Sequence, residues 1–168
     1  MPNLPRTPWD QAAAAHLLRR AAFGGRPEEA EGLAAAGLEG AVDRVLADNG
    51  RGLPSPPVTD PAEERRRREL RRALRSEEPA ARREFGAYNQ AMRETFDALR
   101  TWWLECMRAG GAGAREKLTL FWHGHFATSQ TKVRCNHLML GQNETFRRLG
   151  TGPFGALCTA MVRDPAML

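Results

Sequence analysis

The sequence predicts an all-α protein: an irregular multi-helix bundle with no sheet, of about six to eight helices. Two observations carry this. Apolar residues recur at steps of three and four in segment after segment, and none alternates over the length of a strand. Glycine and proline clusters then punctuate the chain at the spacing of helix ends. The 168 residues suffice to bury a real core, and 42% hydrophobic with 27% charged residues is ordinary globular composition.

The elements follow in order. Thr7-Pro8-Trp9-Asp10 has the form of a capping box, with Thr7 as N-cap, Pro8 first and Asp10 third. That helix should run to about Ala22 and stop at Gly24-Gly25. Pro27 restarts a helix, with Glu28 and Glu29 at the positive end of its dipole, and Gly37 caps it. A third helix carries Leu38, Val42, Val45 and Leu46 on one face. Residues 1–48 thus form an N-terminal helical segment. Residues 49–61 hold Gly50, Gly52, Pro54, Pro56, Pro57 and Pro61, which marks a linker or long loop. Residues 62–168 form the helical core.

That core opens with a charged helix from Ala62 to about Ser76, whose only sizeable apolar residues are Leu70 and Leu74. Arg65, Arg66, Arg67, Arg68, Arg71 and Arg72, within the stretch from Arg65 to Arg83, are its candidate nucleic-acid contacts. Interleaved glutamates argue instead for a solvated face laced with ion pairs such as Glu64 to Arg68. A long helix from Pro79 to before Gly110 carries Phe85, Tyr88, Met92, Phe96, Leu99, Trp103 and Cys106 in one stripe, widened by Trp102. It reads as the spine of the fold, with Phe96 and Trp103 in the core.

The stretch REKLTLFWHGHFATS, Arg115 to Ser129, sets aromatic bulk beside two of the four histidines. An HxH pair shares a face only on extended backbone. Here Leu118, Phe121, Trp122, His125 and Phe126 follow the helical period. At about 100° per residue, His125 then lies on the apolar face and His123 points roughly 160° away. Two such histidines bind one ion only if Gly124 breaks the helix, so no metal is expected through His123 and His125. His137, on the next helix, is the remaining route to a hydrolytic site, but carboxylates are thin there, Glu116 and Glu144 being the only glutamates after Glu105. That helix should be capped at Thr131 and end at Gly150. Pro153 starts a last helix with Phe154, Leu157, Cys158, Met161 and Val162 on one face. Asp164-Pro165 is another helix-start signal, so the chain reads as truncated at its C-terminus.

Several function classes find no support. No GxSxG, HExxH, Walker or dinucleotide loop occurs, and the glycine-rich turn at 110–113 follows no strand. Cys106, Cys135 and Cys158 have no CxxC spacing and read as buried free thiols. The net charge of +5 invites a nucleic-acid reading, but lysine occurs only at Lys117 and Lys132. The excess is arginine among abundant alanine and glycine, which fits a codon bias equally well. No apolar run spans a membrane and no secretory signal opens the chain, so the default location is cytoplasmic.

Three blocks carry a resemblance: HLLRRAAFGGRPEEAEGLAAAGLEGAVDRVL at His16 to Leu46, REKLTLFWHGHFATS at Arg115 to Ser129, and DPAML at Asp164 to Leu168. In that order they resemble the bacterial family known as domain of unknown function 1800. The resemblance implies no activity, because the family has no established catalytic residues to carry over. Its members are usually much longer and continue past DPAML, so the likeness implies the N-terminal part of a larger helical domain. Many relatives are exported and encoded beside a sulfatase-like family, which sits against the absent signal here.

The leading functional expectation is a helical scaffold or interaction module within a larger protein. Its partner would be the missing C-terminal portion or another protein. The alternatives are a hydrolase-like fragment, metal-dependent or not, using His123, His125 or His137, and a nucleic-acid-binding helical protein using the stretch from Arg65 to Arg83. The residues name no cofactor.

Overall fold

Nine α-helices and one 3-10 turn, with no strand, make up residues 8–47, 52–109 and 113–168, the residues described by the computed structural model. The protein is all-α. In chain order the helices are α1 (Gln11–Ala21), α2 (Pro27–Ala35), α3 (Gly37–Leu46), α4 (Glu63–Ala73), α5 (Pro79–Ala109), α6 (Arg115–His125), α7 (Gln130–Val133), α8 (Asn136–Leu149) and α9 (Phe154–Val162).

Helices α1, α2 and α3 pack on one another around small apolar residues: Ala14, Leu18, Ala30, Leu33, Ala41 and Val45. Thr7 lies outside the described residues. Asp10 is the N-cap of α1 rather than its third residue, its carboxylate accepting from Ala13 N at 2.8 Å. The reason is tertiary. Trp9 donates its indole N–H to Leu33 O at 3.3 Å, and that contact lies before the first helical turn. Gly37, at φ +72°, turns the chain from α2 into α3, as a left-handed cap requires. The buried face of α3 is Ala41 and Val45, whereas Leu38, Val42 and Leu46 are exposed. Alanines at the contact let the helices approach closely, and the larger residues flank the seam.

The stretch after α3 is tied to the body. Trp102 donates its indole N–H to Pro54 O at 2.8 Å, and Leu53 packs against the cluster of Leu99, Trp102 and Cys106. Of the expected α5 core residues, Phe96 and Trp103 are only half-buried, and Trp102 is the deep one. The strap at Leu53-Pro54 covers the Trp102 side, while the Phe96 side opens into a cleft.

The helix expected from Thr131 to Leu149 is two helices. Arg134 adopts φ +53° and ends the single turn α7. Helix α8 then starts at Asn136 without a local side-chain cap. Glu63, buried at the start of α4, supplies one from far away in sequence. Its carboxylate accepts from Asn136 N at 2.8 Å and His137 N at 3.1 Å, matching negative charge to the positive end of the dipole. Gly150 closes α8. A Cβ there would lie 2.5 Å from Phe146 O and 2.8 Å from the Trp122 ring, so only glycine fits. Helix α9 buries Leu157 and Met161 against Phe146 and exposes Phe154 and Val162. After it, Asp164 accepts from Ala166 N at 2.9 Å, as an N-cap does.

Candidate functional site

Helix α6 is continuous through Gly124, and the face it turns inward is polar. Glu116 is 2% exposed and Thr119 fully buried. With His123 they follow i, i+3, i+7, the spacing of one helix face. Each group has a partner. Arg147 of α8 grips Glu116 in a fork, with Nε to Oε1 at 2.6 Å and a terminal nitrogen to Oε2 at 2.9 Å. Trp103 donates its indole N–H to Glu116 Oε2 at 3.0 Å. The Arg147 guanidinium also lies 4.8 Å from the Trp102 ring centre. This is a fully engaged buried pair, with its charges and hydrogen-bond capacity used.

The orientation expected for the two histidines is reversed. His123 is the inner one, its ring centre 4.8 Å from that of Trp103 and 4.7 Å from that of Phe146. His125 is exposed and packs on the outer aromatic rings. The apolar periodicity was a poor guide because the inward face of α6 is carried by an acid, a threonine and a histidine. The aromatic residues beside it spread round the helix, and Phe121 is 56% exposed. Burial, helped by the Arg147 charge, lowers the pKa of His123 from 6.5 to about 4, so its imidazole is neutral at neutral pH.

His123 meets Asn143 of α8, whose amide nitrogen lies 3.1 Å from Nε2. Asn143 is 5% exposed and its Oδ1 has no partner among the described residues. Turning the amide over would exchange which of its two polar atoms is orphaned. Both residues line a cleft of about 480 Å³ between α5, α6 and α8, walled by Phe96, Trp102, Trp103 and Leu140. The nearby polar residues are spent on structure: Thr128 donates to Gln142, and Gln142 donates to Asp164 at 3.1 Å.

The other candidates lie apart. His137 Nδ1 is 3.0 Å from Thr59 Oγ1, and its backbone serves the Glu63 cap, so it is engaged away from His125. Glu144 is exposed at the rim of a separate hollow of about 390 Å³, beside Arg147 and Arg148. Arg66 pairs with Glu84 at 3.4 Å and Arg68 with Glu64, as expected of a solvated ion-paired face. Arg65 and Arg72 are exposed, and Arg67 and Arg71 line a different cavity. Among the described residues no three His, Cys, Asp or Glu side chains converge as metal ligands. Cys106 and Cys135 are buried, which pushes both thiols up; Cys158 is half-buried rather than fully so.

Sequence reasoning missed Arg147 and the Glu63 cap altogether. Gln142 and Asn143, both buried on α8, were not singled out either. A signal was present: polar residues recur at core phase on α6 and on α8.

No helix among the described residues is long and apolar enough to cross a membrane. No curated protein and no solved structure shows significant similarity to the chain. The family described as protein of unknown function (DUF1800) matches residues 16–168, nearly the whole chain, and the protein therefore belongs to the DUF1800 family.

Proposed function

We propose that this chain is a helical interaction module whose working face is the outer aromatic surface of α6 and α9. One observation carries this reading: α9 is uncharged and exposes large apolar side chains. Its sequence FGALCTAMV holds no charged residue. Leu157 and Met161 satisfy its inner face, yet Phe154 is 53% and Val162 76% exposed. Large apolar side chains exposed together on an uncharged helix mark an interaction surface.

The exposed side of α9 continues onto α6. The Phe154 ring stacks on Trp122 with centres 5.7 Å apart, and Phe121 and His125 flank Trp122. Aromatic rings dominate the energetics of protein interfaces because they bury large area at low entropic cost. The polar inner face of α6 supports the same reading, since its groups are engaged in holding α6 on α8 and α5. A hydrolytic reading would need His123 as a base, and burial makes it a weak one, its pKa lowered to about 4.

The test is photo-cross-linking in the source cell. A cross-linking amino acid at Val162 should give a discrete protein adduct that Phe154→Glu abolishes. The same probe at Arg82, on the charged start of α5, should give none. Equal adducts from both positions, or none from Val162, overturns the reading.

A further inference from the structure

Four of the six arginines of α4 fall into two sets. Arg66 and Arg68 are neutralised by Glu84 and Glu64. Arg67 and Arg71, one turn apart on another face, line a cavity of about 600 Å³ between α4, α5 and the α7 turn. Arg93 of α5 and Arg134 line the same cavity. Four arginines therefore line one hollow, and no acidic residue is among its lining residues. Among the described residues none of the four has a carboxylate within salt-bridge distance.

A nearby acid is already used elsewhere. The Glu63 carboxylate is spent on the α8 N-terminus. Tyr88, whose hydroxyl donates to Glu63 O at 2.9 Å, adds no negative charge to the wall. Arg67 Nε is buried and has no hydrogen-bond partner among the described residues. Arg134 spends only its Nε, on Thr131 O at 3.0 Å, which fixes the stem and leaves its terminal nitrogens. Like charges gathered around one hollow repel one another, and a buried unpaired guanidinium nitrogen costs free energy. A bound anion removes both penalties.

We propose that this cavity binds a small organic phosphate: a ligand with two or more negative charges on phosphoryl oxygens and a compact apolar part. Guanidinium forks match tetrahedral phosphoryl oxygens in pairs. Phe85 and Met92 offer the apolar part a surface. A hollow of about 600 Å³ suits a small ligand rather than a polymer, whose backbone is tracked by an extended basic stripe. The basic stripe of α4 is broken by its own acids, so the concave site is favoured over a nucleic-acid face. This site is separate from the aromatic surface and stands without it.

The experiment is calorimetric titration of the chain with inorganic pyrophosphate at constant physiological ionic strength. The expected result is saturable binding of one equivalent, weakened at least about tenfold by Arg71→Gln/Arg93→Gln, the loss of charge-assisted hydrogen bonds. Both replaced residues are exposed, so the fold is retained, and thermal denaturation checks that. The control Arg66→Gln/Arg68→Gln should change affinity less than about twofold, because those charges are paired elsewhere. Absence of saturable pyrophosphate binding overturns the proposal. Equal weakening by both double variants does so too, since it reports diffuse charge. A single-stranded oligouridylate that binds more tightly than pyrophosphate, and is lost in both variants alike, assigns the arginines to nucleic acid instead.

Discussion

The α1–α3 layer and the body built on α5, α6, α8 and α9 solve the same packing problem with different chemistry. The first closes on Ala14, Leu18, Ala30, Leu33, Ala41 and Val45, with no polar side chain at its centre. The second buries Glu116, Thr119, Asn136, Gln142, Asn143 and Asp164 among its rings. An alanine-leucine seam is held by area and tolerates small shifts. A polar centre is held by direction: each group has one geometry that satisfies it, and losing a partner strands the other in a dry interior. The body should therefore respond far more sharply to single substitutions that keep volume but remove a partner.

The largest effect should come from Arg147→Met. It preserves bulk over Trp102 but leaves the Glu116 carboxylate buried and unpaired, and should cost about 3–5 kcal/mol in chemical denaturation. A conservative core change in the other layer, Val45→Ala, should cost clearly less, about 1–2 kcal/mol. Equal losses would erase the contrast between the regions.

The pH dependence comes next. The pKa of His123 is lowered in the fold, from 6.5 to about 4. The unfolded chain therefore binds the extra proton first as pH falls. Stability from this group is fully present above about pH 6.5 and is lost as pH falls toward 4, by up to about 3 kcal/mol. Denaturation midpoints at pH 7 and pH 4.5 should differ in the wild type and differ less in His123→Gln. An identical slope in the variant would remove His123 from the interior.

Glu63→Gln is a smaller probe of the same principle. It keeps shape but removes the charge that caps α8, and should cost about 1.5–3 kcal/mol, the range for hydrogen bonds to an ionised group. Amide exchange at Asn136 and His137 should accelerate in step, since their N–H groups lose that partner. The smallest effect is expected at Leu38→Ser, on the exposed side of α3. A change within about 0.5 kcal/mol in thermal denaturation is expected there.

The same contrast explains what could be read from sequence. The all-α class, the break at Gly24-Gly25, the restart at Pro27 and the length of α5 were legible, because they rest on local chemistry and apolar period. The facing of α6 was not. A period search weights Phe121 and Trp122, whereas burial is decided by the partners that Glu116 and His123 find on α5 and α8. The same holds for α8, whose start at Asn136 depends on an acid from α4. Within α4, the pairing of Arg68 with Glu64 was readable from i, i+4 spacing, but the convergence of Arg67 with Arg93 and Arg134 needs the fold.

Which histidine of the WHGHF block faces inward decides whether the inner face of α6 is polar. Ring-resonance NMR of His123 through a pH titration tests this directly. With the ring held between Trp103 and Phe146, its resonances should stay those of a neutral imidazole down to pH 5 and titrate with a midpoint near 4. A midpoint near 6.5 would place His123 in water and contradict the polar inner face of α6.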